Sequence, residues 1–436
     1  MAVSEMAVSQ LKKIRQPHAF IRMKFYDREQ EIAFLRETQA QARQTARFTV
    51  VTGRRRVGKT TLIREAYKDE PFVYFFVARK AEADLCEAFH EAIVEALGIP
   101  TLGNSRSFSD VFRFLMQLSE TRSFTLVIDE FQDFYRVNKA VFSEMQDIWD
   151  RYEKTSHINL IVCGSIYSMM QKIFKDRKEP LYGRNTGELR VKPFRPSVLK
   201  QILADVKPGY TQEDLLALFT FTGGVARYVS QLVDAGALDR DAMIRHIVSA
   251  NSTFLPEGKN TRSAIEDVIG KEVGGYLTNL EQDYELIAKR QPLFEKNSSK
   301  NVRYELDDVF YSFWFRFIFK YNYIIEIENY AKLEEIIRCD YNTFSGLMLE
   351  RYFHRAAVES GQYTRIGRWW DRKGENEIDL IAGDETEGSA SFFEIKRQKD
   401  EISIGILKQK AGNFLQATHQ FKGYELSFCG LSMEDM

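Results

Sequence analysis

Cysteine is scarce, and its distribution excludes two architectures. Cys86, Cys163, Cys339 and Cys429 are the only four in 436 residues, with neither Cys-x-x-Cys nor zinc-ligand spacing, so no disulfide framework or zinc module is written here and reduced thiols are expected. An excess of one charge is missing as well. Lys plus Arg total 61 against 62 Asp plus Glu, which excludes a molecule that binds nucleic acid by its overall charge and leaves room only for local basic patches. No apolar run approaches the roughly 18 residues of a membrane span. The N-terminus, a MAVSEMAVSQ doublet followed by Lys12-Lys13-Ile14-Arg15, lacks the apolar centre of a signal peptide. A cytoplasmic location with no membrane partner is therefore expected, and the doublet, consistent with an ambiguous start site, carries no fold information. What is present is a 44% hydrophobic composition, enough for packed cores in a chain long enough for about three domains.

Residues 53 to 61 read Gly-Arg-Arg-Arg-Val-Gly-Lys-Thr-Thr, a complete G-x-x-x-x-G-K-T phosphate loop between a β-type run, Phe48 to Thr52, and a helical pattern from Lys59. Glycines at these positions let backbone N–H groups surround the β- and γ-phosphates, and the helix start adds its positive dipole end. Gly53, Arg54, Arg55, Arg56, Val57, Gly58, Lys59, Thr60 and Thr61 are thus the expected nucleotide-binding set, with Lys59 on the terminal phosphates and Thr60 on Mg²⁺. About 70 residues on, Thr125 to Glu130 is an apolar strand ending in two carboxylates, a Walker B pattern. Asp129 is expected to hold Mg²⁺ through water, and Glu130 to orient and deprotonate the attacking water. A third strand, Ile158 to Cys163, ends in Gly164-Ser165, placing Ser165 as a polar sensor. Arg184 and Arg227 are two candidates for stabilising transition-state charge or reporting nucleotide state, each equally readable as an ordinary surface arginine.

Strand-like runs near 48–52, 72–77, 124–129, 158–163 and 188–191 alternate with helical patterns, which predicts a parallel sheet covered on both faces over residues 21–195. From Pro196 the period turns helical, predicting a lid over 196–238. Residues 239–330 carry more helix, then two β-like segments around a basic turn. These suggest a winged-helix-like region in which Lys289, Arg290, Lys296, Lys300 and Arg303 could grip phosphates, the alternative being a solvated hairpin. The run Phe310 to Phe317 is too dense in rings for a stacking surface and reads as core joining domains. In 331–436 a helix from Phe344 to Val358 carries Glu350, and Glu377 to Ala382 returns through a turn as Phe392 to Lys396. Alternation puts Glu394 and Lys396 on one strand face, and a hairpin brings Asp379 beside them, a D…E-x-K pattern suited to Mg²⁺ and to water activation, or simply to solvation.

With Phe25 to Glu29, the phosphate loop, Ile128 to Gln132, Cys163 to Ser165, Leu181 to Pro193 and Gly223-Gly224, the chain resembles the archaeal-type P-loop ATPases, close to the AAA and STAND nucleoside triphosphatases. Gly-Gly-Val-Ala stands where that family has Gly-Gly-x-Pro, and the segment Asn251 to Leu280 is short by one helix. The family's C-terminal domain is similar to a restriction-endonuclease-type PD-(D/E)xK fold, matched here by Gly367 to Trp370 ahead of Glu377 to Asp379. The resemblance implies an α/β protein: a P-loop parallel sheet, helical lid, winged-helix-like middle and nuclease-like C-terminal domain. It also implies Glu350, Asp379 and Glu394 as metal ligands with Lys396 catalytic. Two functions stay open, an ATP-hydrolysing protein that positions a Mg²⁺-dependent nuclease on DNA, and an ATP-controlled switch or scaffold that binds nucleic acid or a partner without cutting. ATP and Mg²⁺ are the implied cofactors, and a homo-oligomer is compatible with Arg184 reaching a neighbouring site.

Overall fold

The computed structural model describes residues 22–70, 72–99, 105–256, 287–295 and 301–436. The N-terminal doublet, most of 251–280, Lys296 and Lys300 lie outside the described residues.

Helix α1 (Glu29–Ala42) leads into β1 (Arg47–Thr52), followed by α2 (Lys59–Ala66), β2 (Phe72–Phe76), α3 (Glu82–Leu97), α4 (Phe108–Leu118), β3 (Phe124–Asp129), α5 (Val141–Tyr152), β4 (Ile158–Gly164), α6 (Tyr167–Lys175) and β5 (Gly187–Arg190). The strands form one parallel sheet in the order β2-β3-β4-β1-β5. Every residue of β3 and β4 is buried, as a parallel sheet covered on both faces requires. Phe75, Phe89, Phe112 and Trp149 fill one side, and Val51, Leu62, Val127 and Ile161 the other.

The helical segment that follows comprises α7 (Pro196–Val206), α8 (Gln212–Thr222), α9 (Ala226–Asp234) and α10 (Arg240–Ile247). Helix α8 opens on a Thr211–Asp214 capping box and is buried from Asp214 to Thr222, so it is the centre of a helical core rather than an amphipathic cover. Its stop needs glycine. Gly224 has φ 77°, and a Cβ there would lie 2.4 Å from the Phe194 carbonyl oxygen.

This core does not end with the helical segment. It continues into α11 (Val309–Phe313), a π-helical turn at Trp314–Phe319, and the long helix α12 (Tyr330–Ser360). Phe310 stacks on Tyr228 at 4.1 Å, Phe313 meets Phe221 at 4.9 Å and Phe317 meets Phe344 at 5.4 Å. The aromatic run is core, and it joins helices α7–α10 to the C-terminal half. Helix α12 begins well before the expected Phe344.

Between these parts, β6 (Ile287–Arg290) and β7 (Arg303–Leu306) pair antiparallel. The expected phosphate grip is corrected at two of its members. Arg290 pairs with Asp307, while Arg303 bonds Glu377 at 3.0 Å and lies 4.4 Å over the Trp370 ring. Both guanidinium groups are spent on the protein itself.

The last sheet is mixed, in the order β11-β10-β9-β8, from β8 (Arg365–Trp370), β9 (Glu377–Asp384), β10 (Ser389–Ile395) and β11 (Glu425–Leu431). β10 runs parallel to β11 and antiparallel to β9. Helix α13 (Ile404–Thr418) covers one face through Leu407, Ala411 and Phe414. On the opposite face Leu380 and Ile395 join the core that holds α12. Between Gly367 and Trp369 the β8–β9 register shifts, a bulge that re-aims the side chains around Asp379. Among the described residues, no helix is long and apolar enough to cross a membrane.

Candidate functional site

The loop after β1 is shaped by steric exclusion. Gly53 has φ 146°, and a Cβ there would meet the Val191 carbonyl oxygen at 2.5 Å. Gly58, at φ 100°, precedes Lys59, the first residue of α2. Lys59 is buried, and its Nζ donates to the carbonyl oxygens of Gly53 at 2.7 Å and Arg54 at 3.2 Å. Burial holds its ammonium below the ordinary lysine range, opposed by Cys163, Glu130 and Asp129 nearby. The amine is thus folded back over the loop it serves.

Two strands away in the sheet, the end of β3 supplies the carboxylates. The Thr60 hydroxyl donates to Asp129 Oδ2 at 2.9 Å, the Tyr74 hydroxyl donates to the same oxygen at 2.7 Å, and the Glu130 N–H donates to Oδ1 at 2.9 Å. Burial, with the Asp129 carboxylate second, pushes the Tyr74 phenol well up, so it stays a donor. Glu130 sits at φ 54°, a left-handed conformation that costs a non-glycine residue free energy and gathers at functional sites. Its Oε2 accepts from Gln132 at 2.6 Å and Ser165 at 2.8 Å. Ser165, expected as a sensor, is thus hydrogen-bonded to the second carboxylate. Gln132 and Tyr74 were not expected in the site. Gln132 lies in the 3₁₀ turn after β3, and Tyr74 in the middle of β2, the neighbour of β3.

A hydroxyl and a carboxylate oxygen within hydrogen-bond distance, beside a phosphate loop, are the hard-oxygen set that Mg²⁺ takes from a protein, phosphates and water supplying the rest. Thr60 and Asp129 fit that ion.

The arginines divide. Arg54 forms an ion pair with Asp308 and lies over Tyr311 at 5.3 Å and Tyr228 at 6.0 Å, so the phosphate loop is tied to α9 and to the start of α11. The Arg227 backbone N–H donates to the Arg56 carbonyl oxygen at 3.2 Å, fixing α9 against the same loop. Arg184 lies elsewhere: both Nε and Nη2 bond Asp150 at 2.8 Å, and Nη1 holds the Pro180 carbonyl oxygen at 2.7 Å.

In the C-terminal sheet the expected set comes together only in part. The Asp379 Oδ2 accepts the Ile395 N–H at 2.9 Å and lies 3.5 Å from Lys396 Nζ. Burial and the nearby Asp379 push Glu350 up to about 7, with Arg368, 3.4 Å away, and Lys396 opposing the rise. Glu394 departs from the expectation. It accepts the Ser403 N–H at 2.9 Å and pairs with Lys410 at 3.8 Å, on the side of α13. β10 ends at Ile395, so strand alternation does not carry through to Lys396. Among the described residues no three His, Cys, Asp or Glu side chains meet closely enough to hold a metal ion. The resident metal that the nuclease resemblance implies does not fit the side chains as they stand.

A parallel sheet with a phosphate loop after β1 and paired carboxylates after β3 defines a P-loop nucleotide-binding core. Residues 25–232 match the family described as "ATPase domain predominantly from Archaea", and residues 314–411 match one described as "Archaea bacterial proteins of unknown function". An uncharacterized protein of Methanocaldococcus jannaschii is 30% identical over 406 residues, covering 85% of this chain and 87% of that protein. The chain belongs to the same family as that protein and carries the archaeal-type ATPase domain. In fold it is similar to the Walker-type ATPase of Pyrococcus abyssi, with TM-score 0.50 and 18% identity over 69% of this chain and 99% of that one. The Aeropyrum pernix ORC2 protein gives TM-score 0.46 and 13% identity over 74% and 97%.

Proposed function

We propose that the protein binds ATP with Mg²⁺ and hydrolyses it, and that nucleotide state is passed to a C-terminal module acting on nucleic acid. One observation carries the first part: Lys59, Thr60, Asp129, Glu130 and Ser165 converge on one edge of one sheet. Mg²⁺ held by Thr60 and Asp129 would neutralise phosphate charge. Glu130 is the base: as the water oxygen bonds the γ-phosphorus and the bond to the ADP oxygen breaks, the water proton passes to its carboxylate. Gln132 and Ser165 fix the orientation of that carboxylate until the phosphate arrives. Arg227 senses nucleotide state through the loop it touches. Arg184 can serve a neighbouring copy only after release from Asp150.

The Arg54–Asp308 pair supports coupling, since it links the phosphate loop to the segment leading into α12, which carries Glu350. For the C-terminal module the nuclease reading rests on Glu350, Asp379 and Lys396. The engagement of Glu394 by Ser403 and Lys410 favours the second reading, a switch or scaffold that binds without cutting. Incubating the protein with plasmid and single-stranded DNA in Mg²⁺ or Mn²⁺ separates the two. Cleavage that disappears in Asp379→Ala while ATP turnover persists supports the nuclease. No cleavage, or cleavage unchanged by the substitution, leaves the switch as the better account.

A further inference from the structure

The ATP site opens into a cleft much larger than a nucleotide needs. Its volume is about 1880 Å³, against about 1,000 Å³ at the upper end for a small-molecule pocket. All five strands of the parallel sheet end on it, and beyond them it runs under Tyr228 of the lid and Asp308.

The charge of this cleft is uneven. Its carboxylates outside the nucleotide site are engaged: Asp133 by Arg79, Asp307 by Arg290, Asp308 by Arg54 and Glu359 by Arg195. Its cations are not all matched. Arg136 follows β3, Lys172 lies in α6 after β4, Arg55 follows β1 and Lys192 follows β5. All four are exposed, and among the described residues none has a carboxylate partner. In a chain with formal net charge −1 these are a local surplus, not a share of a general one. The strands these segments follow, β3, β4, β1 and β5, are consecutive in the sheet, and three inter-strand steps span about 14 Å. One anionic group cannot meet all four, whereas a polyanion lying along the edge can. At the β2 end of the row stands Phe76, 53% exposed on the wall of the same cleft.

We propose that this cleft binds one strand of nucleic acid along the carboxyl edge of the sheet, its phosphates on Arg136, Lys172 and Lys192 and a base stacked on Phe76. Row and ring together favour this occupant. An acidic peptide would satisfy the cations and leave the ring without a planar partner, while an unpaired base supplies a face for it. A strand so placed passes Glu130 and Ser165, which also line the cleft, so occupancy and ATP turnover are read by the same residues. The proposal rests on the nucleic-acid reading above and names where the strand lies, independently of any cleavage by the C-terminal module.

The test is fluorescence anisotropy of labelled single-stranded DNA and RNA of about 15 nucleotides with the full chain, as a function of salt. Arg136→Glu/Lys172→Glu should bind at least tenfold more weakly. The slope of log affinity on log salt should fall by about 1.4, from about 0.7 for each of two lost contacts. The milder Arg136→Gln/Lys172→Gln should give the same slope change, and Phe76→Ala should weaken binding roughly tenfold with the slope unchanged. ATP affinity and melting temperature should stay at parent values in each, which separates a lost contact from a lost fold. If the parent binds the strands and these variants bind equally well, the cleft assignment is overturned and the nucleic-acid reading survives. If the parent binds polyglutamate and neither strand, both are overturned in favour of an acidic protein partner.

Discussion

Replacing Glu350 with glutamine removes one ionisable group from the packed surface between α12 and the C-terminal sheet, and the consequence depends on pH in a definite direction. The side chain is 17% exposed, and its carboxyl is raised from 4.5 to about 7 by burial first and by Asp379 second. Between those values the folded state holds a proton that the unfolded state has released, so stability falls as pH rises. The contribution is fully present below 4.5 and is lost as pH climbs through about 7. At 1.36 kcal/mol per unit, the shift amounts to about 3 kcal/mol. Glu350→Gln carries no proton to lose. Parent and variant should therefore differ little in acid, and above about pH 8 the variant should be the more stable by about 3 kcal/mol. Denaturant unfolding followed by the fluorescence of Trp369 and Trp370, both buried in that sheet, gives the difference at each pH. A difference that stays constant from pH 4.5 to 8, or grows with the opposite sign, refutes the account of this cluster.

Asp308→Asn keeps an acceptor for the Tyr311 N–H but leaves Arg54 without its carboxylate. Removal of one partner of a pair 22% and 10% exposed should cost about 3 kcal/mol, and chemical denaturation beside the Arg54→Met/Asp308→Asn double variant isolates the pair; a neutral Asp308→Asn would show the tie to be idle. Gly224→Ala places a Cβ 2.4 Å from the Phe194 oxygen at φ 77°, so the lid should lose about 1–3 kcal/mol. An unchanged melting temperature would contradict it.

The parallel sheet was legible because strands buried on both faces must be written as unbroken runs. Leu126-Val127-Ile128 and Leu160-Ile161-Val162 are such runs; β3 ends on Asp129, and β4 leads directly to Ser165. The start of α12 was equally present in the spacing of Leu333, Ile337 and Tyr341, all buried and all ahead of the expected start at Phe344. Other features have no local signal. The pairing of Arg54 with Asp308 joins residues remote in sequence, and it exists because the aromatic core carries α11 back against the lid. Glu394 shows a different limit: it follows Ala390 and Phe392 onto the face of β10 that α13 covers, and the strand ends at Ile395, before Lys396, so the two do not share a strand face. Gln132, in the turn after β3, and Tyr74, within β2, act through geometry, where residue type alone says little.

ATP turnover measured side by side for the parent, Glu130→Gln and Lys59→Ala decides whether Glu130 is the base and Lys59 the phosphate-binding amine. Lys59→Ala should lose ATP binding, since the amine that reaches the phosphates is gone. Glu130→Gln keeps the phosphate loop, Thr60 and Asp129, so it should bind ATP as the parent does and turn over on the order of 10²-fold or more slowly. Turnover by Glu130→Gln equal to that of the parent would contradict the assignment of the base, and with it the proposed chemistry of the site.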